Sequence, residues 1–155
     1  MNERYLFSGK RKDDGTWICG DLISTRGKYC IHPNANSFEV NAYNLAKCVQ
    51  MIEVDPETVG QCSGVPDKNG TLMYEGDIVN GMFDYEMKIK SICTFRNGSF
   101  GLLARQHGVE HFHPFTSLCH IRYKVIGNIY DDPNLCKLEH DSLCEIVTYK
   151  AGDEE

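Results

Sequence analysis

The sequence predicts a mainly β protein, an irregular sandwich or barrel of short antiparallel strands with one or two short helical turns. Three observations lead there. Apolar and polar residues alternate over short runs, the period of a strand with one buried face. Turn residues interrupt those runs at short intervals, Arg26-Gly27, Asn69-Gly70 and Asn97-Gly98 among them. A helical period is hard to find anywhere except one ambiguous segment. At 155 residues the chain is long enough for one domain with a core and short for two ordinary ones.

Taken in order, Tyr5-Leu6-Phe7-Ser8-Gly9 reads as a first strand and Lys10 to Gly15 as a polar turn. Thr16 to Ile23 returns, with Trp17, the single tryptophan, expected in the core of that hairpin and bonded through its N–H to a carbonyl. Arg26-Gly27 reverses the chain into Lys28-Tyr29-Cys30-Ile31-His32. Between Asn41 and Val54 the first half, NAYNLAKC, suits one or two helical turns, and Val49 to Val54 suits a strand. Asp55-Pro56-Glu57-Thr58 combines a capping Asp with Pro at a first helical position, so a single turn is expected there.

The run VPDKNGTLMYEGDIV (Val65 to Val79) reads as a reversal at Asn69-Gly70 followed by a strand beginning near Ile78-Val79. The firmest local expectation is the hairpin from Ile89 to Leu103. With Asn97-Gly98 as a two-residue type I′ turn, Phe95 opposes Phe100 and Cys93 opposes Leu102 on one face. Arg96 with Ser99, and Thr94 with Gly101, take the other face, and a slip of one residue would scramble both. Tyr123 to Tyr130 reads as a last core strand ended by Asp131-Asp132-Pro133-Asn134, with Pro133 opening a short helix through Leu138. The terminal Ala151 to Glu155 is expected to fray.

Charge narrows the function classes. Up to Tyr130 there are fourteen Lys and Arg and fourteen Asp and Glu, so the net charge of −6 arises entirely from Asp131 onward. A neutral body with an acidic tail is a poor partner for nucleic acid, whose binding rests on neutralising phosphates. The short basic run Lys10-Arg11-Lys12 is read as a solvated turn. No apolar run is long enough for a membrane-crossing helix, and MNERYLFSGKRKDD lacks the pattern of a signal peptide, so a cytoplasmic protein is expected. The eight cysteines are scattered, and in a reducing compartment they are expected to remain thiols and pack as small apolar residues. Both Asn-Gly turns match the glycosylation sequon, an accident of turn chemistry in such a chain.

Two clusters invite a chemical reading. Glu75 and Asp77 are two residues apart and on a strand would share a face, but acid–base work would need one of them desolvated, with a raised pKa. His111 and His113 would share one side of a strand, as two imidazoles do for a metal ion, with Cys119 or His120 completing a site after the turn at Pro114 and His107 close by. A half-exposed strand with histidines on its wet face explains the same residues, and Phe112 and Phe115 have packing roles of their own. The preferred expectation is no metal and no cofactor. A Cys–His nucleophile has no local signature, and no Gly-rich phosphate loop is present.

The runs EVDPETVGQCSG (Glu53 to Gly64), DKNGTLMYEGDIV (Asp67 to Val79) and VIGNIYDDPNL (Val125 to Leu135), with the opening YLFSGKRKDDGTWICGDLI and YCIHPNA (Tyr29 to Ala35), together resemble the YopX-like proteins of bacteriophages and prophages. The form is that of a Bacteroides-type member, and the match covers roughly Arg4 to Leu138. The resemblance implies a mainly β domain over residues 1–138, an acidic tail over 139–155, and homo-oligomers. Val59-Gly60-Gln61 and Glu75-Gly76-Asp77 match the family's most recognisable motifs, while Cys62 stands where the family usually has an aromatic residue. The family has no established activity, so no catalytic residue carries over. The expectation is a phage or prophage accessory protein acting through contacts with itself or another protein. The alternative is a small metal-binding protein or enzyme using the His111/His113 face.

Overall fold

The computed structural model describes residues 5–33, 51–83, 87–106, 109–115, 122–135 and 147–148. These residues are mainly β, with antiparallel strand pairing and a lone 3-10 turn at Pro56–Thr58. The chain divides into two compact units, Met1–Gly64 and Val65–Glu155.

The first unit carries β1 (Leu6–Lys10), β2 (Trp17–Thr25), β3 (Lys28–His32), β4 (Ile52–Glu53) and most of β5 (Gly60–Pro66), in the order β4-β3-β2-β1-β5. The β2–β3 turn has Arg26 at φ 48° and Gly27 at φ 78°, the paired positive angles of a type I′ reversal. Past β1, Arg11 bridges Val54, Lys12 N donates to Glu53 O at 3.1 Å, and Asp55 N donates to Lys10 O at 2.8 Å. The sheet therefore curls until the end of β1 meets β4, and pairing the two spends strand edges that would otherwise lie open. Such curvature needs room inside. A Cβ on Gly9 would lie 3.1 Å from Val54 Cβ and 3.2 Å from Ile31 Cδ1, and Ile31 and Val54 are fully buried. A Cβ on Gly20 would collide with the His32 carbonyl.

The second unit holds the end of β5, β6 (Leu72–Tyr74), β7 (Asp77–Phe83), β8 (Met87–Arg96), β9 (Ser99–Gln106), β10 (Val109–Pro114), β11 (Tyr123–Asn128) and β12 (Val147–Thr148). Its sheet runs β10-β9-β8-β7-β11, and β12 pairs with Met87 and Lys88 of β8. Asn97 (φ 52°) and Gly98 (φ 83°) form the type I′ turn, and the register Phe95↔Phe100, Cys93↔Leu102, Thr94↔Gly101, Arg96↔Ser99 is the expected one. The two phenyl rings meet edge to face with centroids 5.1 Å apart, although Phe95, near the hairpin tip, stays 49% exposed.

Both faces of this sheet are covered. On one, Val79, Cys93, Leu102 and Tyr123 pack with Met73 of β6, joined by Val65, Phe100, Phe115 and Val125. On the other, Ile78 and Ile92 pack with Ile126, Ile129 and Leu135. Gly81 and Gly101 lie under cross-strand rings, Tyr123 and Phe112 respectively, where a Cβ would clash.

Three expectations are corrected. Trp17 is half-buried, pairing with Lys10 at the turn end of the first hairpin. Cys19 is exposed, on the face opposite Gly20, while Cys30, Cys62 and Cys93 are buried thiols. The stretch after Pro133 forms a turn closed by Leu135 N donating to Asp132 O, and residues 136–138 lie outside the described ones. The NAYNLAKC segment and the terminal Ala151 to Glu155 also lie outside the described residues, whereas Val147–Thr148, assigned to the acidic tail, form β12.

Gly76 and Gly98 both have positive φ, but a Cβ on Gly76 would lie 3.0 Å from the Tyr130 ring whereas Gly98 faces open space. Gly98→Ala should cost about 1 kcal/mol from backbone strain, and Gly76→Ala about 2–3 kcal/mol because the ring must also move. Urea unfolding of the two variants beside the parent chain measures the difference.

Candidate functional site

The acidic motif residues are built into turns. In the Asp67–Gly70 turn, Asp67 N donates to Thr71 O (2.7 Å) and Gly70 N to Asp67 O (3.0 Å), with Gly70 at φ 83°. The Asp67 side chain is the hub. Its Oδ1 accepts from Asn69 N at 2.8 Å and Thr71 N at 2.9 Å, and its Oδ2 accepts from Val125 N at 3.0 Å. Lys68 N also donates to Tyr123 O at 2.9 Å. Val125 and Tyr123 belong to β11, an end strand of the described sheet, so the turn occupies the edge that β11 would otherwise present. Asp67 is 3% exposed. Burial pushes its carboxyl up, but the amides of Val125, Thr71 and Asn69, with the Lys124 charge, outweigh burial and hold it below its ordinary value. The sequence assigned this reversal to Asn69-Gly70 and missed Asp67, whose third partner lies fifty-eight residues away.

The Glu75-Gly76-Asp77 motif is a second turn. Asp77 Oδ2 accepts from Tyr74 N at 2.8 Å, and Glu75 Oε1 accepts from Phe95 N at 3.3 Å. Gly76 N donates to Cys93 O and Gly76 O accepts from Ile129 N, both at 2.9 Å, so the glycine backbone ties β8 to the turn after β11. Glu75 sits in the turn before β7, and with the positive-φ Gly76 between them the two carboxylates engage different amides. One condition for acid–base chemistry does hold: burial, only partly offset by the Tyr74 amide, pushes the Asp77 carboxyl up to about 6.

The remaining motifs follow the same rule. Asp55 caps Pro56–Thr58 by accepting from Glu57 N at 3.1 Å, and Thr58 Oγ1 donates to Asp55 O while accepting from Lys10 N. In the GNIYDDPNL run, Asn128 Oδ1 accepts from Tyr130 N and Asp131 N, both at 2.9 Å, and Asp132 Oδ2 accepts from Asn128 N at 3.3 Å. Within the VGQ motif, Gly60 pairs with Ser8 and Gln61 with Phe7, and Cys62 is fully buried.

The histidine cluster lies on β10. His111 opposes Ala104 and His113 opposes Leu102, so both sit on the face that carries the first core cluster, at its margin, rather than on a separate wet face. His111 is exposed and His113 half-buried, and their rings stack with centroids 6.3 Å apart and planes 15° apart. Two imidazoles on one zinc ion place their nitrogens about 2.0–2.1 Å from it, so near-parallel rings at this spacing would have to turn toward each other. Among the described residues no group of three metal-ligating side chains is assembled. His107, Cys119 and His120 lie outside the described residues.

This architecture defines a class: a mainly β protein whose acidic sequence motifs are amide-capping turns. A family model described as YopX protein matches residues 7–137, and the chain belongs to the YopX family. No curated protein matches the chain. No helix among the described residues is long and apolar enough to cross a membrane.

Asp77 gives a pH signature of definite sign. Its folded pKa lies above the ordinary value of 3.8, so its contribution to stability is full below about pH 4 and is lost as pH rises through about 6. Asp77→Asn keeps an oxygen for the Tyr74 amide and cannot ionise. Relative to the parent chain, the variant should gain about 1–3 kcal/mol between pH 4 and pH 7.5. Urea unfolding at both pH values tests this, and a gain that does not change with pH would contradict it.

Proposed function

We propose that this YopX-family protein is a phage- or prophage-encoded accessory protein that works in the cytoplasm through protein contacts, as a homo-oligomer, without catalysing a reaction. The observation that supports this most is the use made of the motif residues. Asp55, Asp67, Asp77, Asn128 and Asp132, all within the runs that resemble the family, accept hydrogen bonds from backbone amides, so these side chains hold the scaffold of this chain. What the second unit offers to a partner is its outer strand β10, where Val109 is 56% exposed and Glu110 and His111 are also exposed. Nucleic acid is a poor candidate partner, given the neutral body and acidic end of the chain.

Light scattering coupled to size exclusion should return a mass that is a multiple of 17.6 kDa at micromolar concentration. A monomeric mass throughout that range would remove the oligomer from the proposal. Affinity capture from prophage-induced cells then asks what else the surface holds. A second reading, a small metal-binding protein or enzyme on the His111/His113 face, draws on the stacked imidazole pair. Substoichiometric zinc, nickel and iron in protein purified without a histidine tag would dispose of it.

A further inference from the structure

We propose that β10 is the self-association edge, and that two copies of the chain pair antiparallel along it with His111 facing the partner's His111 across a two-fold axis. The inference rests on the homo-oligomer reading above and adds its surface and register.

Hydrogen-bond parity identifies which groups of β10 face outward. Phe115 N donates to Phe100 O at 3.0 Å, which makes Phe100↔Phe115 a hydrogen-bonded pair. Antiparallel pairs alternate, so in the β9–β10 register His113↔Leu102, His111↔Ala104 and Val109↔Gln106 are hydrogen-bonded as well. The backbone groups of Glu110, Phe112 and Pro114 therefore point away from β9. Among the described strands, none lies beyond β10.

The two ends of this sheet are treated differently. At β11 the Asp67 turn occupies the outward Val125 N–H and Tyr123 carbonyl. At β10 the usual guards against edge pairing are weak. The Glu110 carboxylate is neutralised within the chain by Arg105 (3.1 Å) and Arg96 (3.3 Å), and Pro114 removes a donor only at the far end.

Pro114 also selects the register. Pairing Glu110 with the partner's Phe112, and Phe112 with the partner's Glu110, satisfies the N–H and C=O of both residues in each copy. Shifting so that Phe112 faces the partner's Phe112 sets the Glu110 carbonyl against the partner's Pro114, which has no N–H to give. The opposite shift, Glu110 against the partner's Glu110, carries Phe112 past the end of β10. In the favoured register His111 lies on the axis in a non-hydrogen-bonded pair, and the exposed Val109 is covered beside the partner's His113. A second copy is the fitting occupant because a strand with outward groups centred on one residue is complementary to itself under a two-fold rotation.

The test uses the full chain. Glu110→Pro removes the outward donor without removing a bond to β9, and Glu110→Ala removes the same ion pairs while keeping that donor. Light scattering should show at least a tenfold weaker self-association for the proline variant than for the alanine variant, with circular dichroism reporting that both are folded. Non-hydrogen-bonded pairs place Cα atoms about 4.5 Å apart, within disulfide reach. His111→Cys should therefore form a covalent dimer on mild oxidation, while the parent chain and Phe112→Cys should not. An oligomer in which neither the proline nor the cysteine at 111 has these effects overturns the β10 assignment and leaves the oligomer intact. A monomeric parent chain overturns both.

Discussion

The second unit depends on one buried carboxylate. Asp67 is removed from water with no side-chain cation in hydrogen-bond reach among the described residues, and what makes its charge tolerable is a set of three backbone amides aimed at it. A hydrogen bond to a charged group contributes more than a neutral one, on the order of 1.5–3 kcal/mol. Two of the three amides belong to the local turn, and the third belongs to β11. The same side chain thus shapes the hairpin that covers one face of the sheet and closes an edge of that sheet. Met73 and Val65, which flank the turn on β6 and β5, reach the core cluster because the turn fixes where they go.

The other motif turns repeat this economy at smaller scale. Gly76 uses both of its backbone groups across strands, joining β8 to the segment after β11. Asn128 and Asp132 fold that segment back so that Ile129 and Leu135 cover the second face. Asp55 and Thr58 fasten the chain to β1 where the first sheet closes on itself. The runs that look most like signatures are therefore the joints of the scaffold. Asp77 carries the raised pKa of a potential acid, yet its hydrogen bond within its own turn accounts for its position.

Local chemistry made some of this legible in the sequence. The Asn97-Gly98 hairpin was readable to the residue because a two-residue type I′ turn fixes parity, and parity fixes every opposing pair. Asp55-Pro56 was readable as a capped turn for the same reason: cap and turn are neighbours. The role of Asp67 was hidden because its deciding partner, Val125, is distant in the chain, and no local pattern encodes that meeting. Trp17 and Cys19 were misplaced because alternation says which residues share a face but not how deeply each position on it is buried; Cys19 is exposed while Cys30, on the same face by register, is buried. The histidines of β10 were grouped correctly on one side of a strand, and the neighbour that defines that side, Leu102, came only from the register.

The most direct test of the account is native-state amide hydrogen exchange at Val125. That N–H points away from β7, so Asp67 is what shields it from water. In the parent chain its exchange should be as slow as that of the core amides of β8, and in Asp67→Ala it should rise by at least a hundredfold while the Cys93 amide stays comparatively slow. Unchanged protection at Val125 in a folded Asp67→Ala protein would contradict the claim that this carboxylate closes the sheet.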